Sequence, residues 1–162
     1  MRKIIIGVMG PGEKATETDL HNAYQLGKRI ALEGWILLTG GRNVGVMDAA
    51  SKGAKSANGL TLGILPTEKS NSISEAVDIA IFTDMGNARN NINVLTSDVV
   101  IACGMGAGTA SEIALALKAD KQVILWTDDA QSRAFFQKLM PDHVYVADSW
   151  ESAIATAKKI LA

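Results

Sequence analysis

Short apolar, β-branched runs alternate with helix-period segments along the chain, and this alternation constrains the fold more than any other feature. The runs Arg2–Met9, Trp35–Thr39, Leu60–Leu65, Asp78–Thr83, Asp98–Cys103, Gln122–Thr127 and His143–Ala147 predict seven strands. Between the first two, Leu20, Ala23, Tyr24, Gly27, Ile30 and Ala31 recur at helical spacing; Thr16 and Asp19 form the start signal and Gly34 the stop. Further helices are expected over Val46–Ala57, Asn87–Thr96, Thr109–Ala119, Ala130–Met140 and Ser149–Leu161, and a polar surface loop over Thr67–Glu75. Strands alternating with helices pair in parallel and carry helices on both faces. Near-continuous apolar runs such as Val99–Cys103 suit a sheet buried on both sides. The expected fold is therefore α/β: a Rossmann-like doubly wound parallel sheet of about seven strands, in one domain over residues 1–162. The default strand order is 3-2-1-4-5, with the later strands outward.

Composition limits what such a fold serves. Sixteen Lys and Arg against 17 Asp and Glu give a net charge of −1, with no basic surplus to neutralise a run of phosphates, so no nucleic-acid partner is expected. One cysteine excludes a disulfide framework and a Cys-rich zinc site. The apolar stretch Ile4–Met9 is broken at once by Gly10-Pro11-Gly12, too early for a signal peptide. No apolar run is long enough to span a bilayer. The expectation is a cytoplasmic protein without a membrane partner.

In doubly wound sheets, ligands bind beyond the carboxyl ends of the strands, where the strand order reverses. Four loops are expected on that edge: Gly10-Pro11-Gly12, Gly40-Gly41-Arg42-Asn43-Val44-Gly45, Gly86-Asn87-Ala88-Arg89-Asn90 and Gly104-Met105-Gly106-Ala107-Gly108-Thr109. Glycine lets backbone approach a ligand closely, and helix N-termini present free N–H groups at the positive end of a dipole. Arginine adds a bidentate fork for an oxyanion. Together they predict an anion pocket, for a phosphate above all. Its candidate residues are Gly10, Pro11, Gly12, Gly40, Gly41, Arg42, Asn43, Gly45, Asn87, Arg89, Asn90, Gly104, Met105, Gly106, Ala107, Gly108, Thr109 and Glu112.

Glu112 has two readings that can hold together. Thr109-Ala110-Ser111-Glu112 has the form of a capping box, and the same carboxylate could face the ligand as a general acid/base or hydroxyl-binding group. Arg42 and Arg89 are read as ligand contacts against solvated alternatives. Cys103 is read as a small apolar filler, and Trp35 and Trp126 as packing residues. His21 and His143 lie far apart and are read as plain surface or edge residues, so no protein-ligated metal is expected. Gly10 to Ala15 matches G-x-G-x-x-A, but Thr39-Gly40 stands where a ribose-binding acid would close the second strand, and Glu13 would sit beside a pyrophosphate. NAD is therefore not expected. P-loop, H-E-x-x-H, C-x-x-C and G-x-S-x-G patterns are missing.

Gly40 to Met47, Asn87 to Asn90 and Gly106 to Glu112 resemble the lonely-guy superfamily, which includes phosphoribohydrolases acting on cytokinin nucleotides. Of the superfamily motif P-G-G-x-G-T-x-x-E, this chain keeps Gly106, Gly108, Thr109 and Glu112, with Gly104 and Met105 at the first two positions. The superfamily's catalytic arginine stretch is matched through Arg89 alone. Within that group the chain is similar to the molybdenum cofactor carriers, in length, in the Gly86 to Asn90 loop and in the altered glycine loop. That resemblance implies a homo-oligomer, dimer or tetramer, that binds the molybdenum cofactor without turning it over and exchanges it with donor or acceptor enzymes. The cofactor is a pterin with a terminal phosphate and a dithiolene-held molybdenum oxo group, so amides and two arginines suit both anionic ends. The alternative implied by the same resemblance is a nucleoside 5'-monophosphate phosphoribohydrolase using Glu112 and Arg89.

Overall fold

The β-branched run at the N-terminus forms β1 (Ile5–Met9), and its alternate side chains enter opposite layers of the molecule. The computed structural model describes residues 2–69 and 71–162; Ser70, inside the polar loop expected over Thr67–Glu75, lies outside the described residues. After β1 come α1 (Glu17–Leu32), β2 (Ile36–Thr39), α2 (Gly45–Ser56), β3 (Thr61–Leu65) and β4 (Ile79–Phe82). A single 3-10 turn at Gly86–Ala88 leads into α3 (Arg89–Thr96), then β5 (Val99–Cys103), α4 (Ala107–Lys118), β6 (Val123–Trp126), α5 (Ala130–Leu139), β7 (Val144–Val146) and α6 (Trp150–Leu161). Among the described residues the seven strands form one sheet in which every paired strand is parallel, the Rossmann-like α/β fold expected.

The strand order is β4-β3-β2-β1-β5-β6-β7, which corrects the default. The fourth strand does not flank β1; it lies outside β3, and β5 takes the central place with Ile6 in register with Val99. Burial explains the exchange. All five residues of β5 are buried, whereas Ile79, Ile81 and Phe82 of β4 are exposed, as suits an edge. The order therefore reverses between β1 and β5.

The pleat divides the core. Ile6, Val8, Val99, Ile101 and Cys103 face α1, α2 and α6, while Met9, Val100 and Ala102 face α3, α4 and α5. Cys103 and Trp126 sit in the first layer, as packing residues should, and burial pushes the Cys103 thiol well above its ordinary value. The α1–α2 contact is backbone to backbone: a Cβ on Gly27 would collide with the Ala50 carbonyl, and one on Gly53 with the Tyr24 carbonyl. Thr16 and Asp19 close a capping box at the start of α1, and Ser149 with Ser152 does so for α6. Among the described residues no helix is long and apolar enough to cross a membrane.

Candidate functional site

The carboxyl ends of β1 and β2 and the first turns of α3 and α4 surround an open cleft of about 290 Å³. Its floor depends on close backbone approaches. A Cβ on Gly10 would collide with the carbonyl of Cys103, so the turn after β1 lies against the end of β5. Gly45 holds φ at +59° and presses on the Pro11 and Gly12 carbonyls, while Val46 N donates to Pro11 O at 3.0 Å. The loops after β1 and β2 are thereby locked to each other.

Arg89 opens α3 and is only 8% exposed. Its guanidinium lies across the end of β2 against Gly40, where any side chain would collide with it. Among the described residues, its Nε has no acceptor. Burial pulls the Arg89 pKa below its ordinary value, the Glu112 carboxylate pushes it back up, and the charge of Arg42 lowers it further.

Glu112 is 7% exposed, and Asn93 Nδ2 donates to its Oε1 at 3.0 Å. Burial raises its pKa to about 7, against the opposing effects of Asn93 and Arg89. The capping-box expectation is corrected. Gly106 adopts the extended cap conformation, so α4 starts at Ala107, earlier than predicted. Thr109 then lies inside the first turn with its buried hydroxyl unpartnered among the described residues, and Glu112 lies in the second turn, too far along to return to the cap.

With glycine at the cap, α4 has no side-chain cap among the described residues. The helix's own bonding begins with Ala110 N to Gly106 O at 2.8 Å, so the amides of Ala107, Gly108 and Thr109 have no acceptor within the helix. Those residues line the cleft. A Cβ on Gly108 would meet nothing within 4 Å among the described residues.

Arg42 stands at the mouth, its side chain 33% exposed, with Nη2 donating to Glu13 Oε1 at 2.6 Å. The Glu13 carboxyl lies below its ordinary range, held first by its own backbone N–H and then by Arg42.

Of the residues expected from the sequence, Gly10, Pro11, Gly12, Gly40, Arg42, Asn87, Arg89, Asn90, Gly106, Ala107, Gly108, Thr109 and Glu112 line this one cleft. Five do not. Gly41 packs beneath it on Leu65 and Gly63, and Gly104 (φ +80°) packs on Asp19. Met105 joins the core layer of α3, α4 and α5, and Asn43 and Gly45 line a separate shallow depression with Leu20, Tyr24 and Asp48. Val8, Met9, Glu13, Lys14 and Met47 line the cleft without having been expected there. Glu13 and Lys14 follow the glycine turn directly, and that adjacency was the available signal.

A parallel doubly wound sheet whose cleft is lined by glycine loops, a helix start and two arginines defines a Rossmann-like α/β protein. More narrowly, the chain belongs to the SLOG cluster4 family, whose model matches residues 3–154. The molybdenum cofactor binding protein from the phototrophic bacterium Rippkaea orientalis is 65% identical, with TM-score 0.99, over 100% of this chain and 99% of that one. The molybdenum cofactor carrier protein from Chlamydomonas reinhardtii is 54% identical, with TM-score 0.94, over 99% of each chain. A cytokinin riboside 5'-monophosphate phosphoribohydrolase from Mycobacterium tuberculosis is 32% identical over 96 residues, 58% of this chain and 51% of that protein. These likenesses bear out the resemblance to molybdenum cofactor carriers within the lonely-guy superfamily.

Proposed function

We propose that this protein binds, protects and carries the molybdenum cofactor, as a cytoplasmic single-domain carrier rather than an enzyme. The observation that carries the reading is Arg89: a buried guanidinium, facing a cleft, whose Nε has no acceptor among the described residues. A buried cation is costly unless an anion completes it. Arg89, the amides at the start of α4 and the Thr109 hydroxyl would hold one anionic end of the cofactor. Arg42 and the Gly10–Gly12 turn would hold the other, with Asn87 and Asn90 alongside. Gly41, Asn43, Gly45, Gly104 and Met105 shape the loops that present these groups. The close likeness to carriers over nearly the whole chain supports this reading.

The carrier works as a homo-oligomer, dimer or tetramer, taking cofactor from a donor enzyme and passing it to an acceptor. The exposed Ile79, Ile81 and Phe82, along a sheet edge unpaired among the described residues, support self-association, which light scattering reads directly.

One observation favours a second reading. A carboxyl with a pKa of about 7 under the influence of an arginine suits general acid/base work on a nucleoside 5'-monophosphate. Gly104-Met105, in place of the proline-glycine start of the hydrolase motif, supports the carrier instead.

The deciding experiment mixes purified protein with isolated molybdenum cofactor under anaerobic conditions, followed by gel filtration and assay of pterin and molybdenum. Near-stoichiometric co-elution is expected. A protein peak free of both removes the carrier reading and directs the work to base release from nucleoside monophosphates.

A further inference from the structure

An acidic side chain already occupies one of the two arginines assigned to the ligand. Glu13 Oε1 accepts from Arg42 Nη2 at 2.6 Å, joining residues 29 positions apart in the chain. Exposed ion pairs contribute little to stability, so stability is a weak reason for its presence.

The backbone on both sides is fixed. Ala15 N donates to Gly12 O at 3.0 Å, and Val46 N donates to Pro11 O at 3.0 Å, pinning the turn before Glu13. Asn43 N donates to Ser72 O at 2.8 Å and Ser74 N to Gly41 O at 2.9 Å, pinning the segment around Arg42. Movement is left to the side chains, and that of Glu13 is 67% exposed, free to turn into water. Arg42 is less free: its Nη1 lies 4.0 Å from where a Cβ on Gly12 would stand, so the guanidinium rests over the turn after β1, at the cleft. Its charge also acts on Arg89, so two guanidinium groups share one cleft and repel each other, which favours a further anion between them.

On the anion-binding reading above, we propose that Glu13 is a resident counter-anion: an incoming anionic ligand displaces its carboxylate from Arg42, and Glu13 sets how tightly the cargo is held. Loading exchanges the carboxylate for an oxyanion of the ligand. Release is assisted when Glu13 returns to Arg42. A carrier has to let go of what it binds, and a competing anion built into the mouth lowers retention without altering the deeper groups around Arg89.

The test measures dissociation constants for isolated molybdenum cofactor and for adenosine monophosphate, a simple phosphate monoester. The proteins are wild type, Glu13→Gln, Arg42→Ala and the double variant, with Glu13→Ala as a second removal of the charge. Removing the carboxylate is expected to tighten binding by about threefold to fivefold, the scale of an exposed charge contact. In the Arg42→Ala background the same removal is expected to change nothing. Unchanged or weaker binding in both Glu13 variants, with wild type binding normally, overturns the proposal and leaves the carrier reading intact. Equal tightening with and without Arg42 also overturns it, because the effect would then be a general field of charge. If wild type binds adenosine monophosphate but not the cofactor, and Glu13→Gln tightens that binding, the carrier reading falls and the role of Glu13 stands. Binding of neither probe by wild type removes both.

Discussion

Arg89 is held in an environment that penalises its charge, and that is informative about its purpose. Replacing it with alanine removes a buried cation whose Nε lacks an acceptor among the described residues, so the fold is expected to lose at most about 1 kcal/mol while cofactor retention collapses. Thermal melts and gel-filtration retention on the same sample check both halves; full retention in Arg89→Ala would refute its assignment. Glu112 gives a second expectation. Below about pH 4.5 its carboxyl is protonated whether the chain is folded or unfolded; between there and about 7 the unfolded chain releases its proton first, so stability falls as pH rises, and above about 7 the penalty is complete. The displacement is worth on the order of 3 kcal/mol. Glu112→Gln keeps an oxygen for Asn93 to donate to. It is expected to match wild type near pH 4.5, to melt several degrees higher at pH 8 and to retain the cofactor. Parallel pH profiles for the two proteins would contradict this, and the hydrolase reading instead requires Glu112→Gln to abolish base release. Arg89 and Glu112 were legible in the sequence because residue type and loop position coincide there. Glu13 was read only as an obstacle to a dinucleotide, since its contact with Arg42 joins two loops and has no local signature.

The glycines of two helices separate structure from binding. In α1, Gly27 lies against the Ala50 carbonyl, so Gly27→Ala is expected to push α1 from α2 and cost about 2–3 kcal/mol, more than the roughly 1 kcal/mol of helix propensity gained. At the start of α4, Gly108 faces open space, so Gly108→Leu is expected to fold with unchanged or slightly raised stability and to lose cofactor by filling the cleft. Denaturant melts and retention assays should move in opposite senses for the two variants; equal destabilisation would contradict the distinction. All the expected strands and helices formed, with ends shifted by a few residues. The errors have physical causes. Thr109 to Glu112 has the spacing of a capping box, but Gly106, three residues before Thr109, took the cap. The default order set the fourth strand beside the first, yet tertiary placement puts Ile79 to Phe82 at an edge and leaves three of its four residues exposed. Periodicity finds a strand but does not say which neighbour it acquires.

At the scale of the molecule, the cleft sits at the carboxyl edge of the sheet, by the seam where β1 and β5 meet and the connections depart to opposite sides; the alternation of elements pointed to that edge, but the default order put the reversal between the first and fourth strands. Its exact rim was not, because Gly41, Asn43, Gly45, Gly104 and Met105 share the loops but face elsewhere. Loop membership is written in the sequence, and side-chain direction emerges only from packing. On the carrier reading, a single sheet with the candidate site at its centre is expected to unfold in one transition whose midpoint rises with bound cofactor, by roughly 5–10 °C at a hundredfold excess over the dissociation constant. Differential scanning calorimetry with and without cofactor reads this, and an unmoved midpoint would contradict it. The central seam has a further consequence for how the protein is made. Ile6 pairs with Val99, so the inner edge of β1 waits for most of the chain to be synthesised before its partner exists. At about 5–20 residues per second, a ribosome leaves that apolar edge bare for roughly 5–20 s. During that interval the nascent chain presents the same β-branched strand that later anchors the sheet, and it is the period in which a chaperone at the exit tunnel would matter most.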